Sequence, residues 1–190
     1  KLSDYFSNIV GVDYDEQVLD LLEDNIAKNK IKNFKTICSN CYSGELLEKI
    51  GEKDNILLSH FGDIEDYFYN FFNLFTKRMI IIRNDVEKSI VHNSNKNTIQ
   101  DICKFLDDRK IPYKIYRQTF EFGQPLKDDE EVIKYLNKWY GEKGINLISN
   151  VKDIDYNYNG EIFTKYYCKP KNTAIVVVEK EEIWKNLREF

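Results

Sequence analysis

Apolar residues along this chain fall into two patterns, short runs typical of strands and longer stretches in which they recur at helical spacing. Strand-like runs occupy 9–13, 34–38, 54–59, 79–82, 113–120 and 173–178. Helical spacing occurs at 15–30, 46–50, 64–75, 99–106, 128–140 and 183–187. Parallel strands need crossover connections, and helices usually supply them. The alternation therefore predicts an α/β fold with a mainly parallel sheet and helices on both faces.

Three segments break this alternation. We expect a polar loop at Glu87–Asn97, a turn at Glu121–Pro125 and an irregular, aromatic and asparagine-rich stretch from Gly141 through Tyr167. The run at 79–82 is continuous enough to predict a strand buried on both faces. The sequence contains no repeat, low-complexity segment or Pro/Gly/Ser-rich linker, so we predict a single domain over residues 1–190.

Composition and charge argue against a nucleic-acid partner and against a membrane-spanning segment. The 190 residues are 42% hydrophobic and carry a formal net charge of -4 with a pI near 5.4, which is not the basic footprint of a dedicated nucleic-acid binder. No run approaches the length of a membrane span, and no secretion signal opens the chain, so we place it in the cytoplasm. Cys38 and Cys41 have the spacing of a redox or zinc half-site, but no second pair completes it. We expect packing roles for the thiols and no metal.

Polar and aromatic clusters follow three of the predicted strands. They are Asp13–Tyr14, Asn40–Cys41 and Ser59–Phe61. In open α/β sheets the carboxyl ends of parallel strands border the ligand crevice. We therefore expect these clusters to lie side by side around one site.

The first two clusters predict a pocket for adenosine. A carboxylate such as Asp13 can accept two hydrogen bonds from the vicinal hydroxyls of a ribose. Tyr14 could pack on a purine face, and the Asn40 amide could donate to and accept from the purine edge. The alternative is that Asp13 only initiates the helix that follows.

The segment VGVDYDEQVLDLLEDNIAKNKIKNFKTICSNCYSGELLEKIGEKDNILLSHFGD resembles the cofactor-binding half of class I S-adenosylmethionine-dependent methyltransferases. The resemblance implies a Rossmann-like, doubly wound sheet with an antiparallel C-terminal strand at 173–178. It also implies S-adenosylmethionine as cofactor, with Asp13 on the ribose, Tyr14 on adenine and Asn40 at the adenine amine. Cys41 and Ser59 complete the cofactor-binding residues that we predict.

The resemblance also implies where the methyl acceptor binds. His60 and Phe61 follow the strand that would lie beside the methyl group, so His60 is the candidate general base and Phe61 a candidate substrate contact. Alternatively, His60 only forms a hydrogen bond at the strand end. The sequence SHFG lacks the Asn/Asp-Pro-Pro-aromatic motif typical of relatives that methylate nucleic-acid amines, which favours a small-molecule acceptor.

Recognition of the acceptor in this family comes from additions around the later strands. The corresponding insertion here is 121–172, in which Phe122, Gln124 and Tyr140 are the candidate substrate-binding residues. Most aromatic side chains in such a segment serve ordinary packing. Lysines interleaved with Tyr166 and Tyr167 form a weak alternative patch for nucleic acid.

One diagnostic element of the family is absent from the sequence. No G-x-G occurs among the eight glycines, although the family has a first strand followed by a Gly-rich loop. We therefore expect a segment that carries this strand and loop upstream of Lys1. Two rival hypotheses are a catalytically silent methyltransferase-like interaction module and a nicotinamide dinucleotide-binding oxidoreductase. The acceptor atom and the oligomeric state stay open.

Overall fold

The computed structural model describes residues 2–43, 45–85, 98–158 and 160–188. The strands are β1 (Ile9–Asp13), β2 (Phe34–Cys38), β3 (Lys53–Ser59), β4 (Phe75–Asn84), β5 (Lys114–Leu126), β6 (Val151–Tyr158) and β7 (Glu161–Glu179). The α-helices are α1 (Glu16–Lys28), α2 (Leu46–Ile50), α3 (Ile64–Phe72), α4 (Ile99–Asp108), α5 (Asp129–Tyr140) and α6 (Lys180–Arg188). Short 3-10 helices cover Leu2–Asp4 and Gly141–Asn150. The predicted loop at Glu87–Asn97 lies outside the described residues.

Local signals explain where the helices begin. Asp15 and Asp63 precede α1 and α3, and each side chain accepts a hydrogen bond from the backbone amide two residues later. Thr98 and Asp101 form a capping box at the start of α4. These side chains satisfy amide groups that the first turn of a helix leaves without partners. The predicted starts of these helices are thus confirmed.

The strands form a mixed α/β sheet system in two parts. β1 and β2 pair in parallel as a two-stranded sheet. The other part has the order β3-β4-β7-β5, with β6 also paired to β7. β3 and β4 are parallel, whereas β7 is antiparallel to β4, β5 and β6. The expected α/β fold class with an antiparallel C-terminal strand is confirmed, and the larger sheet is mixed because β7 is antiparallel to its three neighbours.

The main core lies on one face of the larger sheet. Met79 and Ile81 of β4 are fully buried there against α3 and α4, together with Val176 and Val178 of β7. On the opposite face Ile80 and Ile82 are only half-buried, so the prediction of a strand buried on both faces is wrong. Helix α1 packs on the other side of β1, where Leu22 lies against Gly11. Val12, on the alternate face of β1, contacts the main core.

β5 and β7 continue together beyond the end of β4 and form what we call the arm, defined as residues 119–126, 151–158 and 161–172. Asn84 pairs with Thr173, and the β5–β7 ladder runs on to the pair Leu126–Lys165. At about 3.3 Å per residue, this extension reaches roughly 26 Å past β4. A second core of Leu126, Val132, Leu136 and Tyr167 anchors α5 to the far end of the arm.

Three predicted boundaries are wrong. Glu121–Pro125 is an uninterrupted part of β5 and not a turn. The stretch from Gly141 to Tyr167 is a 3-10 helix followed by β6 and the first third of β7, and not irregular. The helix predicted at 64–75 is too long, since α3 ends at Phe72 and Phe75 is the first residue of β4.

Among the described helices, none combines the length and apolar character needed to cross a membrane.

Candidate functional site

The end of β1 places Asp13 beside the loop that follows β2. The Ser39 amide donates to the Asp13 carbonyl at 2.8 Å, which ties the two strand ends together. The Asp13 carboxylate accepts a hydrogen bond through Oδ1 from the Asp15 amide at 3.0 Å. Burial raises the pKa of the Cys41 thiol, and the negative charge of Asp13 raises it further. Asp13 and Cys41 therefore share one local environment.

Asn40 and Tyr14 present polar and aromatic groups at the same edge. The Asn40 Oδ1 accepts a hydrogen bond from the Tyr42 amide at 2.9 Å, a turn that fixes the amide plane. This leaves the Nδ2 protons of Asn40 to serve as donors. The Tyr14 side chain is 80% exposed next to Asp13. A carboxylate acceptor, an amide donor and an open aromatic face thus lie on adjoining residues.

Tyr42 connects this edge to the loop after β3. Its ring stacks on Phe61 with centroids 5.4 Å apart and planes inclined by 23°. The Tyr42 hydroxyl occupies the space that a Cβ on Gly62 would need, so a larger residue at position 62 would displace the Tyr42 side chain. The stacked pair brings the ends of β2 and β3 together, although the two strands belong to different sheets.

His60 occupies the turn directly after β3. Its backbone adopts the left-handed conformation, with φ of 52°, and its amide donates to the Ile82 carbonyl at 3.0 Å. Partial burial lowers the pKa of the imidazole, and the positive charges of Lys171 and Arg83 lower it further. Each of these effects favours the neutral imidazole, the form that can accept a proton.

Arg83, near the end of β4, is hydrogen-bonded to the backbone of this turn. It is only 7% exposed, and its guanidinium donates hydrogen bonds to the carbonyls of Phe61 and Gly62. The fully buried Tyr67 hydroxyl lies nearby, and burial raises the pKa of Tyr67 to about 12, an effect that the Arg83 charge opposes. Neither Tyr67 Oη nor Arg83 Nε has a hydrogen-bond partner within the described part of the chain.

Two of the predicted residues from the third cluster differ in position. Ser59 ends β3 beside Ile82 and is exposed at the strand-end edge. Phe61 points inward, where its ring meets Tyr67 at 5.4 Å and Phe71 at 5.6 Å. Their roles in binding cofactor or substrate stay predictions, and Phe61 in addition packs against the main core.

The arm separates the three candidate substrate-binding residues. The Phe122 ring is 62% exposed, and the Lys171 ammonium lies 4.9 Å from its centroid. Gln124, two residues further along β5, donates to the Pro125 carbonyl at 3.0 Å. Tyr140 packs on Tyr167 of the second core, with centroids 5.9 Å apart. Of the three, Phe122 is the one that contacts Lys171, whose charge lowers the pKa of His60.

Comparison with solved structures shows the same fold in distant proteins. YcgJ protein of Bacillus subtilis aligns with 93% of this chain and 84% of its own, with a TM-score of 0.54 and 12% identity. Precorrin 8w decarboxylase of Methanobacterium thermoautotrophicum aligns with 90% and 69%, with a TM-score of 0.50 and 12% identity. The chain has the class I methyltransferase fold. At this level of identity the likeness shows the fold alone.

Sequence comparison is less extensive. The curated protein ribosomal protein uS12 methylthiotransferase RimO, from a Thermoanaerobacter species, is 30% identical over 99 residues, which cover 52% of this chain. The match spans 21% of that relative's own length. No protein-family model matches the chain.

The methyltransferase fold here carries a groove that sequence reasoning did not predict. It encloses about 670 Å³ and is lined by Glu121, Gly123, Pro125, Lys152, Tyr156 and Tyr166, among others. Because side chains alternate along β5, this groove lies on the face of the arm opposite Phe122. Lys152 spans it and pairs with Glu121 at 3.0 Å.

Three residues of this methyltransferase fold that shape the strand-end site escaped the sequence analysis as site residues. They are Tyr42, Arg83 and Lys171. A usable signal existed for Arg83, a charged residue that directly follows the apolar run 79–82. The position of Lys171 depends on how β7 pairs with β4, which the sequence pattern does not reveal.

Proposed function

We propose that this chain is an S-adenosylmethionine-dependent methyltransferase that acts on a small-molecule acceptor. The observation that carries the proposal is the junction of three strand ends, at which the Tyr42–Phe61 stack joins the Asp13 edge to the His60 turn. Such an edge is where open α/β folds bind their ligands. The methyltransferase fold of the chain supports the same conclusion.

The residues at the ends of β1 and β2 fit the adenosine part of the cofactor. The Asp13 carboxylate would accept hydrogen bonds from the ribose hydroxyls, and the exposed Tyr14 ring would cover one face of adenine. Asn40 would donate from Nδ2, because its Oδ1 already serves the Tyr42 amide. Cys41 and Ser59 would border the same ligand. When bound, the cofactor supplies a methyl group on a sulfonium that is already activated.

His60 would take the proton of the acceptor at an imidazole nitrogen. A base with a lowered pKa is unprotonated at neutral pH, and it suits an acceptor that gives up its proton readily. Arg83 fixes the backbone that directly follows His60, because its guanidinium donates to the Phe61 and Gly62 carbonyls. Orientation of the acceptor relative to the methyl group supplies much of the rate enhancement in such a transfer.

Charge favours a small acceptor. The chain carries a formal net charge of -4, which disfavours a long polyanion. Phe122 gives the arm an exposed aromatic surface, and its ring contacts the Lys171 ammonium, whose charge acts on His60. Both properties suit a compact, planar ligand.

Calorimetric titration of the full-length protein with S-adenosylhomocysteine tests the proposal. We expect micromolar affinity, and we expect Asp13→Ala to weaken binding by about 1.5–3 kcal/mol through loss of a charged hydrogen-bond acceptor. Asp20→Ala is the matched control, since Asp20 is exposed on α1 and its loss should leave the affinity unchanged.

Two results would contradict the assignment. If the full-length protein fails to bind S-adenosylhomocysteine, the catalytically silent interaction module becomes the better account. If a nicotinamide dinucleotide binds in its place and depends on Asp13, the chain is an oxidoreductase instead.

A further inference from the structure

One face of the β5–β7 ladder combines exposed aromatic rings with lysines. Tyr116, Phe120 and Phe122 alternate on this face of β5, and each ring is more than 40% exposed. Across the ladder, Phe120 pairs with Lys171 and Phe122 with Lys169. The register is unbroken along β5, so the alternation of faces holds throughout. We call this surface the ladder face.

The charge of the ladder face differs from that of the whole chain. Within the paired segments 114–126 and 165–177, its charged positions are Lys114, Lys165, Lys169 and Lys171, whereas Glu161 and Glu179 lie on the same face beyond the two ends of this pairing. Lys114 pairs with Glu179, and Lys165 with Asp129 and Asp153. In the described part of the chain, Lys169 and Lys171 have no ion-pair partner. Two ammonium groups without an ion-pair partner among the described residues thus lie beside exposed rings in a chain of net charge -4.

The geometry of these two lysines suits a planar anion. The Lys171 ammonium lies 4.9 Å from the Phe122 centroid, and that of Lys169 lies 5.7 Å from the Tyr140 centroid. A lysine over an aromatic ring is weakly stabilised by the ring and keeps donors free for an anionic group. An aromatic ligand can stack on Phe122 at the same time.

The ladder face begins at the strand-end site. The His60 amide donates a hydrogen bond to the Ile82 carbonyl of β4. The β4–β7 ladder ends two residues later, at the pair Asn84–Thr173. The Asp85 amide continues this pairing with a hydrogen bond to the Asn172 carbonyl at 2.8 Å. Lys171 is the next residue of β7, and its charge lowers the pKa of His60.

We propose that the methyl acceptor is a planar aromatic small molecule that carries a negative charge, such as a hydroxylated aromatic carboxylate. Its ring stacks on Phe122, and its anionic group binds Lys171, with Lys169 further along the same face. This inference rests on the proposed methyltransferase function and adds the chemical class of the acceptor to it. Lys171 and Phe122 are then specificity-determining residues.

A single-stranded nucleic acid offers the same combination of rings and anions, but the charge balance disfavours it. Its affinity grows with the number of phosphates neutralised, and binding surfaces for it carry long basic stripes. The ladder face offers only two lysines without ion-pair partners in the described residues. One ring and one or two anionic groups match that number.

The test is calorimetry on the full-length protein saturated with S-adenosylhomocysteine. The probes are para-hydroxybenzoate, the neutral para-hydroxybenzamide and a short single-stranded oligouridylate. We expect the carboxylate to bind about tenfold more tightly than the amide, a difference of about 1.4 kcal/mol. Lys171→Gln should abolish that difference, and Phe122→Leu should weaken binding of both aromatic probes.

Lys152→Gln is the matched control, because Lys152 lies on the opposite face of the arm and pairs with Glu121. It should leave every affinity unchanged. Equal affinity for carboxylate and amide, or no effect of Lys171→Gln, would overturn the inference about the acceptor. The proposed function would stand in that case, provided that the protein still binds S-adenosylhomocysteine. Tighter, Lys171-dependent binding of the oligouridylate would also overturn it and assign the ladder face to nucleic acid. Failure of S-adenosylhomocysteine to bind would instead remove the proposed function and the acceptor role together.

Discussion

His60 combines a turn position with a cationic environment. Partial burial and the charges of Lys171 and Arg83 all favour the neutral imidazole. Lys171 stands on β7, more than a hundred residues away in sequence, so the protonation of this side chain depends on the pairing of distant strands.

Lys171→Gln is predicted to raise the pKa of His60 toward its ordinary value, because removal of a nearby positive charge stabilises the imidazolium. The acidic limb of any activity that uses His60 as a base should move to higher pH in the same direction. NMR titration of the imidazole carbon-bound protons measures the pKa of His60. The control variant Lys152→Gln should leave that pKa unchanged. A pKa that does not move would show that Lys171 and His60 do not interact.

Some of the candidate residues can be located from the local sequence pattern, and others only from tertiary contacts. Asp13, Asn40 and His60 follow apolar runs, so the boundary of each run marks a strand end and hence the ligand edge. Tyr42 and Lys171 reach the same place through ring stacking and through strand register. Neither leaves a local pattern in the sequence.

Among the elements, the arm shows how tertiary contacts override local signals. Gly123 and Pro125 are typical of turns, yet β5 runs through both. β5 is an edge strand, where a proline does not break a ladder on its outer side. Gly123 is needed because Tyr166 and the Tyr167 carbonyl lie where a side chain would stand. Likewise, the dipeptide Asn159-Gly160 between β6 and β7 is a hairpin signal that the composition of its surroundings obscured.

Gly123→Ala should destabilise the arm. The new Cβ would lie 2.5 Å from Tyr166 Cζ and closer still to the Tyr167 carbonyl oxygen, so β5 and β7 would have to separate. Overpacking of this kind costs about 1–3 kcal/mol. Urea denaturation measures the loss, and Gln124→Ala, an exposed neighbour on the same strand, is the control. A Gly123→Ala protein as stable as the control would contradict the observed strand packing.

At the scale of the whole molecule, the described residues form two hydrophobic cores. The main core includes Met79, Leu106 and Val176, and the second includes Leu126 and Leu136. Among the described elements, β5 and β7 contribute residues to both regions, which makes the arm a candidate for independent opening. The β-α alternation predicted the first core. The second core packs the predicted helix at 128–140 against Leu126 and Tyr167, which lie in strand extensions that the sequence analysis did not predict.

Leu136→Ala is predicted to loosen the arm before the rest of the fold. Leu136 is 2% exposed, and truncation of such a leucine costs about 2–5 kcal/mol. Hydrogen exchange should accelerate at amides of α5 and β6, while amides of β4 keep their protection. Leu106→Ala, in the main core, should instead accelerate exchange in both regions. Uniform acceleration in Leu136→Ala would mean that the two cores open as one unit.

At position 60 the left-handed backbone favours glycine for stability, whereas the proposed role as a base requires histidine. An L-residue pays about 1–2 kcal/mol for this conformation and glycine almost none, although glycine adds entropy to the unfolded chain. His60→Gly should therefore raise the free energy of unfolding by up to about 1 kcal/mol, as Lys30→Gly should at a similar φ of 54° after α1. Denaturation curves of the two variants would show equal gains. Only the change at position 60 would also remove the proposed proton acceptor, so selection for thermal robustness alone would replace this histidine.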